Sequence, residues 1–160
     1  MSSLQVDYKF EGLDALIADT KKAGINSPAL VKAALVNSSS EMQSQMRQRA
    51  AHRTGTLQRS VLAEIDPDGM SATVSVAEKY GIFIEQGTGI FGPLGTPIVP
   101  KRARVLAWKG SGGMVFARSV KGIKAKPFFV PGYEASISYI DNQFTIVSDK
   151  LMAILAGGAQ

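Results

Sequence analysis

Cysteine is absent from this 160-residue chain. That excludes a disulfide framework, thiol redox chemistry and thiolate metal sites, and it suits a reducing compartment. Histidine occurs once, at His52. A lone histidine beside Arg53, after a predicted helix, lacks the nucleophile or further ligands that a catalytic triad or a common zinc site needs, and reads as a surface or capping residue. No run approaches the roughly 20 apolar residues of a membrane span. The opening MSSLQVDYKFEG has no basic region followed by an apolar core, so no secretory signal is expected. Acidic residues are missing from one long stretch: none falls between Glu85 and Glu134.

What is present reads as one ordinary domain over residues 1–160. Hydrophobic residues make up 45% and charged residues 19% of a chain with net charge +5, a globular composition. The acid-free stretch holds Lys101, Arg102, Arg104, Lys109, Arg118, Lys121, Lys124 and Lys126, so the positive charge is concentrated there. Two readings follow for it. One is a surface for phosphates, with Trp108 and Phe116 available for stacking. The other is solvated loops with both aromatics pointing inward from strands, and the inward placement is the expectation for the aromatics.

Hydrophobic spacing supplies the elements. Leu4, Val6, Tyr8 and Phe10 alternate as in a half-buried strand, and Leu13, Leu16 and Ile17 form a short helical stripe ending at Gly24. Ser27-Pro28 opens a long helix over 27–51, since Ser caps and Pro fits the first turn; its stripe is Val31, Leu35, Met42 and Met46. Val61, Ala63 and Ile65, then Asp66-Pro67-Asp68-Gly69, then Ala72, Val74 and Val76 spell a hairpin. Tyr80 to Gln86 predicts one or two helical turns closed by Gly87, with Tyr80, Phe83 and Ile84 as an apolar face. Residues 87–100 read as a flexible loop, and a second hairpin joins Val105–Trp108 to Met114–Phe116 across a flexible tip at 110–113.

A C-terminal helix over 132–156 is the clearest element. Tyr133, Ile140, Val147 and Ile154 lie seven apart, and Ile137, Phe144 and Leu151 fill the second seam position. Each such side chain contributes about 1.5–3 kcal/mol when fully buried, so the stripe requires a partner surface. The sheet of its own domain is the expected partner. A coiled coil between subunits is less favoured, because Ser136, Ser138, Asn142 and Thr145 flank the stripe instead of paired charges. The fold class is therefore α+β: an antiparallel sheet with two hairpins, covered by two long helices.

The chemical motifs are weak. Gly87-Thr88-Gly89-Ile90-Phe91-Gly92 matches GxGxxG literally, but Pro93, Gly95, Pro97 and Pro100 follow, so no helix can open there to hold a pyrophosphate. No GxxxxGK[ST] occurs. Asp66 and Asp68 sit where a turn favours Asp for backbone hydrogen bonding. Glu85, in an apolar stretch beside the glycine-rich loop, suits pairing with a basic residue in its own or a neighbouring subunit better than acid–base work. Asn37-Ser38-Ser39 fits a glycosylation sequon inside a predicted helix and carries no meaning there. No catalytic, cofactor-binding or metal-binding set is assigned, and a non-enzymatic role is expected.

Four pieces, in order, carry a resemblance: Arg53-Thr54-Gly55-Thr56-Leu57-Gln58-Arg59-Ser60-Val61, Tyr80 through Glu85-Gln86-Gly87-Thr88, Pro100-Lys101 leading to Leu106-Ala107-Trp108, and Lys126-Pro127-Phe128-Phe129-Val130-Pro131. Together they resemble the tail-component family of siphophages, the neck or tail-completion proteins of tailed bacteriophages. The match covers roughly residues 50–135; the long Gly87–Pro100 loop departs from the pattern. The residues that match its motifs are Thr54, Gly55, Leu57, Ser60, Tyr80, Glu85, Gly87, Thr88, Pro127, Phe128, Phe129 and Pro131. The resemblance implies a structural virion protein, made in the host cytoplasm, that forms a ring at the head–tail junction around the DNA passage. It implies partners of three kinds: further copies of itself in a hexamer, head-closure or connector proteins, and tail-terminator or tail-tube proteins. The basic segment would then face DNA in transit or an acidic partner. A free nucleic-acid-binding module is the alternative, and no membrane partner or cofactor is expected.

Overall fold

The computed structural model describes residues 4–8, 18, 21 and 27–157. The predicted stripe Leu13, Leu16 and Ile17 ending at Gly24, and Phe10 of the first strand, lie outside the described residues. Along the described chain run β1 (Gln5–Tyr8), α1 (Ser27–Arg49), α2 (Thr56–Arg59), β2 (Val61–Ile65), β3 (Ala72–Val76), α3 (Gly81–Gln86), a 3-10 turn (Gly89–Phe91), β4 (Leu106–Gly110), β5 (Gly113–Ala117) and α4 (Phe129–Gly157). This is an α+β architecture. The described residues gather into two compact units, one made of those up to Glu78 together with 128–157 and the other of 79–127. The sequence composition predicts a single domain over 1–160.

The larger unit contains a three-stranded antiparallel sheet in the order β1-β3-β2. Central β3 pairs Val74 with Val6 on one side and with Ala63 on the other. The hairpin β2–β3 forms where its turn chemistry places it. The Gly69 amide donates to the Asp66 carbonyl at 2.8 Å, and Asp68 Oδ1 accepts from the Met70 amide at 2.9 Å. Asp66 also accepts from the Ser71 hydroxyl. Both carboxylates thus serve the turn.

Helix α1 begins at Ser27 as expected and turns Val31, Leu35, Met42 and Met46 inward, each almost wholly buried. Its C-terminal half is pinned to β2, because the Gln43 amide and the Arg47 guanidinium both donate to the Val61 carbonyl (2.9 and 2.8 Å). Helix α4 starts at Phe129, three residues before the predicted start. Pro131 therefore lies inside the first turn, where its missing N–H leaves no helical hydrogen bond unmade.

The stripe that α4 buries differs from the heptad seam. Phe129, Ser136, Ile140, Val147 and Leu151 are buried, as is Phe128 just before the helix, whereas Ile137 and Ile154 are exposed. Its main partner is α1 and not the sheet. Leu35, Ser38, Ser39 and Met42 of α1 line one small cavity together with Ile140 and Phe144 of α4 and with Ala72 and Val74 of β3. Asn37 donates from its amide to the Gln143 side chain across the two helices (3.1 Å), a structural use of the asparagine in the sequon. Small residues of both helices, Ser38, Ser39, Gly132 and Ser136, are buried.

Candidate partner interface

The smaller unit, residues 79–127, is built differently. Not one of the chain's buried hydrophobic side chains lies in it. Its buried residues are Gly81, Glu85 and Gly87. Backbone hydrogen bonds hold it instead. Helix α3 closes at Gly87 (φ 75°), after which the Thr88 amide donates to the Ile123 carbonyl (2.9 Å), and the Ile123 amide donates back to Thr88 Oγ1 (3.0 Å). The Ile90 amide donates to the Lys121 carbonyl (2.9 Å), and Ile98 and Val120 exchange both bonds of a bridge (2.9 Å each). The Lys126 amide donates to the Ile84 carbonyl (2.8 Å). The 87–100 loop is thereby stitched along the basic connector. Two facing glycines make this approach feasible: Gly122 has φ 91° and Gly89 φ 64°, and a Cβ would collide with the Thr88 carbonyl at the first and with the Lys121 carbonyl at the second.

The stitching fixes where the cations stand. Lys101, Arg102, Arg104, Lys109, Arg118, Lys121, Lys124 and Lys126 are all exposed. Lys124 Nζ lies 5.8 Å from the centre of the Phe91 ring, within reach of a cation–π contact. Lys121, Lys124 and Lys126 share the stitched connector, Lys109 is on β4, and Arg118 follows β5.

The aromatics overturn the inward placement expected for them. Hairpin β4–β5 is a separate two-stranded sheet, with Trp108 opposite Val115 and Ala107 opposite Phe116. Trp108 is 42% and Phe116 64% exposed, on opposite faces of the hairpin. Alternation shows that two faces differ, but it does not show that either is covered. The apolar face expected on α3 is likewise open, since Tyr80 and Phe83 are exposed and Glu85 is buried. Glu85 is not without a partner. Leu94 and Val99 in the loop are exposed too. This accessibility was missed by sequence reasoning, because alternation and charge alone do not reveal it.

Apart from Pro127, the last residue of the smaller unit, the remaining motif residues have structural places in the larger unit. Gly55 (φ 72°) precedes α2, Leu57 is buried, and the Ser60 hydroxyl donates to the Leu57 carbonyl at 2.8 Å. Before the helix, Thr54 Oγ1 accepts from the Thr56 amide at 3.4 Å. Phe128 and Phe129 are buried and meet edge to face, with ring centres 6.4 Å apart. Pro127 is exposed before them. His52 is exposed. Among the described residues, no group of His, Asp or Glu is placed to hold a metal ion, and no helix is long and apolar enough to cross a membrane.

Compared with protein-family models, with curated proteins and with solved structures, the chain matches none.

Proposed function

We propose that this chain is a structural protein of a tailed-bacteriophage virion. It is a ring subunit, hexameric in the reading taken here, that joins the head connector to the tail and surrounds the DNA passage. Its work is binding rather than catalysis. The observation that carries the reading is the ordered set of four sequence pieces that resemble siphophage tail-component proteins. Their residues hold the joints of this fold: the Gly55 turn, the Gly87 helix end, the Lys126–Ile84 backbone bond and the buried Phe128–Phe129 pair. Compatible with it is a unit whose large apolar and cationic side chains are open to partners.

Mass spectrometry of purified virions and electron microscopy of a deletion phage test the proposal. The chain is expected in virions, and the deletion is expected to yield filled heads and separate tails. Its absence from virions, or normal particles without it, sinks the reading.

One observation favours a second reading, a free nucleic-acid-binding module. Trp108 and Phe116 stand exposed among the cations, as stacking on bases requires. That module predicts salt-dependent DNA binding by the isolated monomer and no assembly defect in the deletion phage.

A further inference from the structure

The β4–β5 hairpin leaves both faces open. Trp108 and Val115 are exposed on one, Met114 and Phe116 on the other. A two-stranded hairpin is marginal in water unless something packs on it, and contiguous exposed apolar surface marks an interaction site. Charge narrows what covers it. Residues 79–127 carry Lys79 and the eight cations named above against Glu85 alone, which leaves eight positive charges; since the whole chain is only +5, the rest of the same chain is net negative by three.

A matching surface lies on α4. Its outward stripe Glu134, Ile137, Asp141, Thr145, Ser148 and Met152 follows helical spacing, and every one of these residues is exposed. It offers acid and apolar groups together, while Lys150 is the helix's single cation. We propose that the β4–β5 hairpin docks on this outward stripe of α4 in a second copy of the chain. Apolar contact supplies the attraction, and the opposed charges set the orientation. Met114 and Val115 give a nucleic acid nothing to stack on, which favours a protein occupant. Hairpin and stripe are different patches, so the contact is head to tail, the kind that propagates to a closed ring or an open filament. Closure into a ring rests on the virion reading; the docking itself does not.

Sedimentation velocity of the full chain across a concentration series, at low and high salt, tests the contact. The wild type is expected to associate more strongly at low salt. W108S/F116S in the hairpin, and separately E134K/D141K on α4, are expected to weaken association by on the order of tenfold or more, with unchanged far-UV circular dichroism. Because these side chains are exposed, folding should survive. Mixing the two variants gives the decisive result: each retains the half that the other lacks, so the mixture forms dimers that stop there. A wild type that stays monomeric, association unaffected by either variant, or a mixture no larger than its parts overturns the proposal. So does DNA binding that needs Trp108 and Phe116 without any self-association. If the docking holds but the chain is missing from virions, only the virion reading falls. A chain found in virions whose W108S/F116S variant still associates overturns only the docking.

Discussion

Gly132 of α4 sits directly against Met46 of α1. A Cβ on Gly132 would fall 2.6 Å from Met46 Cγ, 2.8 Å from its Cα and 2.9 Å from its backbone nitrogen. The side-chain atom can swing aside, but the backbone atoms cannot move without separating the two helices. Gly132 is itself buried, so this close contact lies inside the seam between the two helices.

Gly132→Ala is therefore expected to destabilise the protein, although alanine is the better helix former. Propensity favours Ala by about 1 kcal/mol in a helix interior, and by less at the fourth residue of α4. Overpacking against immovable atoms costs about 1–3 kcal/mol. The clash should win, and Gly132→Val should be worse. Thermal melts by circular dichroism check this; an unchanged or higher Tm for Gly132→Ala would show that the helices can separate freely.

Leu151 and Ile154 offer a sharper comparison, because both belong to the apolar heptad pattern. Leu151 is wholly buried and Ile154 is 44% exposed. Leu151→Ala is expected to cost about 2–5 kcal/mol through lost contact and a residual cavity. Ile154→Ala should cost about 0.5 kcal/mol or less, as a surface change does. Urea unfolding of the two variants measures the difference, and equal losses would return Ile154 to the core.

These two residues also show what could be read in advance. Apolar spacing located α4 and the β2–β3 hairpin, since Asp66-Pro67-Asp68-Gly69 declares its own turn. It did not choose between adjoining stripes of α4, because the deciding residues are Gly132 and Ser136, which carry no apolar signal. The same limit applied to Trp108 and Phe116: alternation predicts a hairpin but contains no information on what covers it. Cation positions were legible as charge, and their exposure follows from the cost of burying it.

Gly122 is one of the two facing glycines on which the stitched loop depends. Gly122→Ala places a Cβ against the Thr88 carbonyl at a positive φ that alanine rarely adopts. The expected result is rapid hydrogen exchange at the Thr88, Ile90 and Ile123 amides, whose bonds the approach maintains. Amides of β2 and β3 should keep their protection. If Thr88 and Ile123 remain protected in the variant, the close approach is not what holds the loop.

The basic connector makes a quantitative prediction about polyanions. Lys121, Lys124 and Lys126 are exposed on one stitched segment. Each lysine that neutralises a duplex phosphate contributes about 0.9 to the fall of log K with log salt concentration. If all three touch phosphate, K121Q/K124Q/K126Q should lower that slope by about 2.7 and weaken binding most at low salt. Fluorescence anisotropy with a labelled duplex, from low to physiological salt, measures it for the full chain. A reduced slope assigns the connector to the DNA passage. An unchanged slope, with weaker self-association of the variant, assigns the same charges to an acidic protein surface.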